Sequence, residues 1–120
     1  MTTFRRLRGI ELRYVVTIHL FDHGRATIAE IAAALAAQGF DVGGRASKSI
    51  SDALRWEVRR ARVRRFGRGR YGPGWMPRST EYRIHQRVLA LRAQARELSL
   101  VGGHTDTPRA DGGISAAWSG

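Results

Sequence analysis

Ser47-Lys-Ser-Ile-Ser-Asp-Ala-Leu-Arg-Trp-Glu-Val-Arg-Arg-Ala-Arg-Val-Arg-Arg-Phe-Gly-Arg-Gly-Arg-Tyr71 is the stretch from which the rest of the chain can be read. Ser49-Ile50-Ser51-Asp52 has the character of a helix start, with Ser47 competing as the cap. At 100° per residue, Ile50, Leu54 and Ala61 fall on one side, with Ala53 and Val58 flanking them. Lys48, Ser51, Asp52, Arg55, Arg59 and Arg62 fall on the other. One face of a helix over 49–62 is therefore core and the opposite face is cationic. Residues 63–72 then give two β-prone segments around Gly67-Arg68-Gly69, a hairpin signature. Its exposed cations are Arg64, Arg65, Arg68 and Arg70. Trp56 lies off the apolar side of the helix, where it packs under this hairpin or meets a sugar–phosphate.

Upstream, Thr27-Ile28-Ala29-Glu30 is a capping box, and the Ala-rich run behind it predicts a short helix ending at Gly39. Before that, Leu12, Val15, Val16, His19 and Leu20 form one stripe of a helix over Ile10 to His23, closed by Gly24. Residues 1–9 read as a basic arm, through Arg5, Arg6 and Arg8, that serves either a minor groove or solubility. Downstream, Pro73-Gly74 ends the hairpin and Trp75-Met76-Pro77 folds back on the core, closing a domain over 10–77. A last helix within 78–101 carries Ile84, Val88, Leu91, Ala95 and Leu98 at heptad spacing. That stripe either packs on its own domain or pairs with a second copy. The homodimer is the favoured reading, because half the stripe extends beyond so small a globule. Residues 102–120 are rich in Gly, Ser, Thr, Asp and Pro and are expected to be disordered.

Helix, Thr-capped helix, basic amphipathic helix and Gly-turn hairpin, in that order over residues 10–75, resemble a winged helix-turn-helix domain. The Gly67-Arg-Gly-Arg-Tyr71 segment is similar to the wing of several bacterial winged-helix groups and of the HARE-type helix-turn-helix. PadR-like and MarR-like regulators share the pairing of a winged helix with dimerising helices, although their full patterns are not matched. The resemblance implies a mainly α fold with a small β-hairpin and a C-terminal dimerisation helix. It also implies a third helix that enters a major groove and a wing on phosphate or minor groove. Carried onto this chain, Lys48, Ser51, Asp52, Arg55, Arg59 and Arg62 belong to the reading helix, and Arg64, Arg65, Arg68 and Arg70 to the wing.

Composition points to the same partner. The 120 residues carry a net charge of +11, and Lys48 is the single lysine among 21 cationic residues. The codon usage of a GC-rich genome would account for much of that bias, yet Arg still forms the planar, bidentate pairs with phosphate and guanine that Lys does not. Between Arg55 and Arg70 eight arginines face only Glu57, a density that a polyanion relieves. Double-stranded DNA is the expected partner, and a dimeric transcriptional regulator the expected role. A nucleoid-type architectural binder and a winged-helix module for an acidic protein are the alternatives.

Other classes fall away. No cysteine is present, which excludes disulfides, thiol nucleophiles and iron–sulfur clusters. The apolar run Tyr14 to Phe21 is far below the ~20 residues that span a bilayer, so a cytoplasmic location without membrane contact is expected. Gly67, Gly69 and Gly72 match a dinucleotide-binding spacing, but Pro73-Gly74 follows instead of the helix that would receive a pyrophosphate. His19 and His23 stand four apart with Asp22 nearby, yet His19 lies on the core stripe and no further ligand cluster accompanies them. The acidic residues are scattered, with no catalytic pairing. No cofactor, metal or enzymatic activity is expected.

Overall fold

The computed structural model describes residues 4–103. Four helices and five short strands follow in the order β1 (Arg5–Arg6), α1 (Ile10–His23), β2 (Ala26–Thr27), α2 (Ile28–Ala37), β3 (Phe40–Asp41), α3 (Ala46–Arg59), β4 (Val63–Gly67), β5 (Arg70–Pro73) and α4 (Arg78–Gly103). Helix dominates, and the strands form a parallel β1–β3 pair and an antiparallel sheet in the order β2-β5-β4. Among the described residues no helix is long and apolar enough to cross a membrane.

Helix α1 occupies the centre. Leu12, Val15, Val16, Ile18 and Leu20 are buried on it, against α3 and α4. Gly24 ends it, donating its N–H to Leu20 at 2.8 Å. The capping box closes as the sequence asks: Thr27 Oγ1 accepts from Glu30 N–H at 3.1 Å, and Glu30 Oε1 accepts from Thr27 N–H at 2.8 Å. Ile31 and Leu35 then carry α2 into the core. Neither candidate serine caps α3, which begins earlier than expected with Arg45 at its N-cap. Both serines lie inside its first turn.

The C-terminal end of α3 also departs from expectation. The helix stops at Arg59, and Ala61 takes a left-handed φ of 64°. Ala61 is thus turned out of the core side of the helix and is exposed, as is Val58. That reversal feeds the chain into β4. The hairpin itself forms where the sequence puts it, turning at Arg68-Gly69, with φ of 68° at Gly69. Its third strand is short: Ala26 pairs with Tyr71 and Thr27 with Arg70. Two residues of strand, embedded in a helix start, leave no periodicity to read.

Two further expectations are corrected. Residues 5–9 are not a free arm, since β1 pairs with β3, Leu7 is buried and Leu7 N–H donates to Asp41 O at 2.8 Å. Arg5 meets Glu11 at 3.0 Å and Arg6 meets Asp41 at 3.0 Å. The heptad stripe of α4 is used within the chain: Ile84, Val88, Leu91 and Ala95 are all buried in its own core. Each large one stabilises the domain by roughly 1.5–3 kcal/mol, and none of the four is free to form a seam with a second copy. Leu98, half-buried, is the remaining member. Helix α4 runs on through Gly103, so residues 102 and 103 are helical; the expected disorder of the rest of the tail lies outside the described residues.

Candidate nucleic-acid interface

Helix α3 buries Ile50, Ala53 and Leu54 and turns its charged side outward. Lys48 and Arg55 are each 66% exposed, Arg59 is exposed, and Ser51 and Asp52 are half-buried beside them. Asp52 links this group, 3.2 Å from Lys48 Nζ and 3.9 Å from Arg55. Pairs this exposed contribute little to stability and exchange readily for other anions. Trp56, half-exposed at the margin of that face, is ringed by three guanidinium groups, with Arg13, Arg59 and Arg60 at 5.2, 5.5 and 5.8 Å.

On the hairpin, Arg64, Arg65, Arg68 and Arg70 are exposed. Phe66 stands between Arg25 at 3.9 Å and Arg64 at 5.4 Å, in cation–π contact. The hairpin is not a loose projection. Ile28 N–H donates to Gly69 O at 3.2 Å, and strand β2 ties Arg70 and Tyr71 to the start of α2.

Charge is sorted within the chain. Arg5, Arg6, Arg13, Arg62, Arg87 and Arg92 lie within 4 Å of carboxylates, mostly on the α1–α4 side or in the interior. Among the described residues a group of seven, Arg25, Arg59, Arg60, Arg64, Arg65, Arg68 and Arg70, has no carboxylate that near; nor do Arg8, Arg45 and, on α4, Arg78, Arg83 and Arg96. All seven of that group belong to the end of α3, the hairpin, or the residue leading into β2 that stacks on the hairpin.

Arg62 is not one of them, against the sequence reading. It points inward to Glu57, which is fully buried. Arg62 Nε and Nη2 donate to the Glu57 carboxylate at 2.7 and 3.0 Å. These bonds raise the Arg62 pKa above its ordinary value, overcoming the opposing effect of burial. Thr17 Oγ1 donates to the same carboxylate at 3.0 Å. Arg13 Nε approaches it at 3.3 Å, close enough for an ion pair but without hydrogen-bond alignment. Glu57 therefore fastens α3 to α1 and to the root of β4. The wheel hinted at it, because Glu57 falls on the apolar side beside Leu54; its charge alone suggested a surface role.

The remaining candidates carry no comparable chemistry. His19 and His23 rings lie 4.7 Å apart, and burial, followed by the charge of His23, holds the His19 pKa below its ordinary value. Among the described residues no three His, Cys, Asp or Glu side chains gather where a metal ion could be held. Gly67, Gly69 and Gly72 sit in the hairpin, with strand and not helix after the turn. Comparison of the chain with protein-family models, with curated proteins and with solved structures gave no match.

Proposed function

We propose that this protein is a winged helix-turn-helix DNA-binding protein that regulates by occupying duplex sites. In this reading α3 enters the major groove and the hairpin is the wing on the phosphate backbone. The observation that carries the proposal is the sorting of charge: seven arginines without carboxylate partners cluster on α3's end, the hairpin and its flank. Of the other arginines among the described residues, seven lie within 4 Å of a carboxylate, and five, Arg8, Arg45, Arg78, Arg83 and Arg96, lie unpaired outside the cluster. A phosphate backbone relieves the repulsion among the seven and releases counterions as it does so.

Base reading falls to Arg55, Lys48 and Asp52. Arg55 offers a fork that matches guanine O6 and N7, and Asp52 can accept from cytosine N4. Free of DNA, Asp52 holds both cations, so binding exchanges weak surface pairs for contacts to base edges. One copy of the chain is sufficient for this reading.

Fluorescence anisotropy tests it, with a duplex from upstream of the protein's own gene and a scrambled duplex of equal length, titrated across salt. The slope of log K against log salt is expected to approach about −6 if all seven arginines meet phosphate, at ~−0.9 for each. Arg68→Ala is expected to weaken both duplexes alike and flatten the slope by about one, while Arg55→Ala reduces the preference between them. Equal binding of both duplexes by the wild type favours the architectural role, and no binding at low salt refutes the proposal.

A further inference from the structure

Trp75 follows the hairpin directly and is 70% exposed, more than any other tryptophan among the described residues. An exposed aromatic alone is ordinary on a protein surface; one that adjoins further apolar surface and unpaired cations is a candidate contact site. Trp75 N–H donates to Ala61 O at 2.9 Å and Gly74 N–H donates to Arg62 O at 2.8 Å, so the backbone beneath the indole is pinned to the α3–β4 corner. That corner relies on two unusual features. Ala61 takes a left-handed φ, which a non-glycine residue adopts only at a cost. A Cβ on Gly74 would lie 2.3 Å from Ala61 O, so only glycine permits the approach. The backbone that carries the exposed indole is therefore held in place by its framework.

Beside it is a shallow slot, open to solvent, of about 560 Å³, lined by Val58, Ala61, Val63 and Trp75 together with Arg64 and Arg65. Neither arginine has a carboxylate partner; Arg65 Nε reaches only Gly67 O, at 3.2 Å. The slot thus combines an aromatic wall, small apolar residues and two free cations. It lies at the end of α3 and the root of the hairpin, continuous with the cationic surface that those two elements share.

We infer that this slot receives an unpaired nucleotide next to the bound duplex, so that the protein favours a duplex with a single-stranded extension. The inference rests on the DNA-binding reading and specifies its substrate. Bases within a duplex have both faces covered by their neighbours and offer nothing to an indole outside the stack. An unpaired base presents an open π-face, and the strand that carries it brings a phosphate with each base. Stacking on Trp75 and pairing with Arg64 or Arg65 are then satisfied together. An acidic apolar peptide would satisfy the slot chemically, but it would not share the continuous cationic track that the duplex occupies.

The test is anisotropy at fixed salt with a blunt duplex, and with the same duplex extended by five thymidines at the 3′ or the 5′ end. Wild type, Trp75→Ala and Trp75→Phe are compared. Stacking of one base supports a preference of about 5- to 150-fold, and wild type is expected to show it for one of the extended duplexes. Trp75→Ala abolishes the preference and leaves blunt-duplex affinity within about twofold; Trp75→Phe keeps most of it. Thermal unfolding of Trp75→Ala is expected to match wild type, because the side chain is exposed, so loss of fold is separable from loss of stacking. Equal affinity of wild type for blunt and extended duplexes overturns the inference, as it would if the slot served a protein segment. An equal loss on blunt duplex in Trp75→Ala overturns it too. Both of those outcomes leave duplex binding intact, whereas failure of wild type to bind any of the DNAs at low salt refutes the DNA reading itself.

Discussion

Glu57→Gln removes one negative charge from the interior and leaves the shape almost unchanged. The Glu57 carboxylate is fully buried and meets two guanidinium groups, Arg62 at 2.7 Å and Arg13 at 3.3 Å. The amide keeps one acceptor oxygen for Thr17 or Arg62 but offers an NH2 group where an acceptor is needed. Breaking a buried pair by removing one partner costs about 3–5 kcal/mol, most of it from the charge left behind. Arg62 and Arg13 retain 16% and 18% exposure, so water offsets part of that and the lower end, ~3 kcal/mol, is expected. For a domain of this size each kcal/mol moves the thermal midpoint by roughly 4–8 °C. A fall of about 12–24 °C should result, read by circular dichroism and matched by a lower urea midpoint at unchanged slope. A loss below 1 kcal/mol would refute the reasoning, since it would mean that Glu57 is solvated or that its pairs contribute nothing. Arg62→Ala should destabilise in the same range and, unlike Arg68→Ala, leave the salt slope of DNA binding where it was.

Leu91→Ala should cost about 2–5 kcal/mol through a core cavity. The loss should be the same at low and high protein concentration; a concentration-dependent one in urea titrations would restore the stripe as a seam between copies. Ala61→Gly should stabilise by about 0.5–1 kcal/mol, because relief of a left-handed alanine exceeds the entropy added to the unfolded chain; a lower urea midpoint would contradict it. Burial holds the His19 pKa down in the folded state, so below the unfolded value of ~6.5 the unfolded chain takes a proton that the native one refuses. Stability should therefore be complete above that pH and fall by up to about 1.4 kcal/mol per pH unit beneath it, until the folded pKa is reached. His19→Leu should flatten urea midpoints between pH 7.5 and 5.5, and an unchanged slope would assign the loss to another group.

Much of the architecture is legible because its signals are local. Thr27 and Glu30 announce a helix start through chemistry confined to four residues. Gly67-Arg68-Gly69 announces a turn in the same way. The α4 stripe is legible as periodicity, but period alone does not say which surface it meets: Ile84, Val88 and Leu91 would read identically in a core and in a dimer. Strands β1 and β3 are illegible for a different reason. Two residues each, they are stabilised by partners 35 positions away (Arg5 with Phe40, Arg6 with Asp41). Nothing local marks them. The candidate reading face, from Lys48 to Arg59, follows from the helical wheel, whereas the inward turn of Arg62 depends on where the helix stops.

That stopping point separates two kinds of arginine that composition cannot distinguish. Had α3 continued to residue 62, the 100° spacing would set Arg62 beside Arg55 and Arg59 on the cationic face. Because the helix ends at Arg59 and the chain reverses at Ala61, Arg62 swings beneath the hairpin and binds Glu57 instead. The ion pair then fixes the angle at which β4 leaves the helix, so it governs where Arg64, Arg65 and Arg68 point. A carboxylate with no route to solvent thereby sets the geometry of a cationic surface that it does not touch. The two classes are separable by experiment, since neutralising Arg62 should lower stability and leave the salt slope of the proposed DNA binding intact. On the DNA-binding proposal, neutralising Arg65 should flatten the slope and leave stability intact, because its side chain is exposed and makes no ion pair. If both substitutions moved both quantities together, the division of the arginines into framework and binding surface would be wrong.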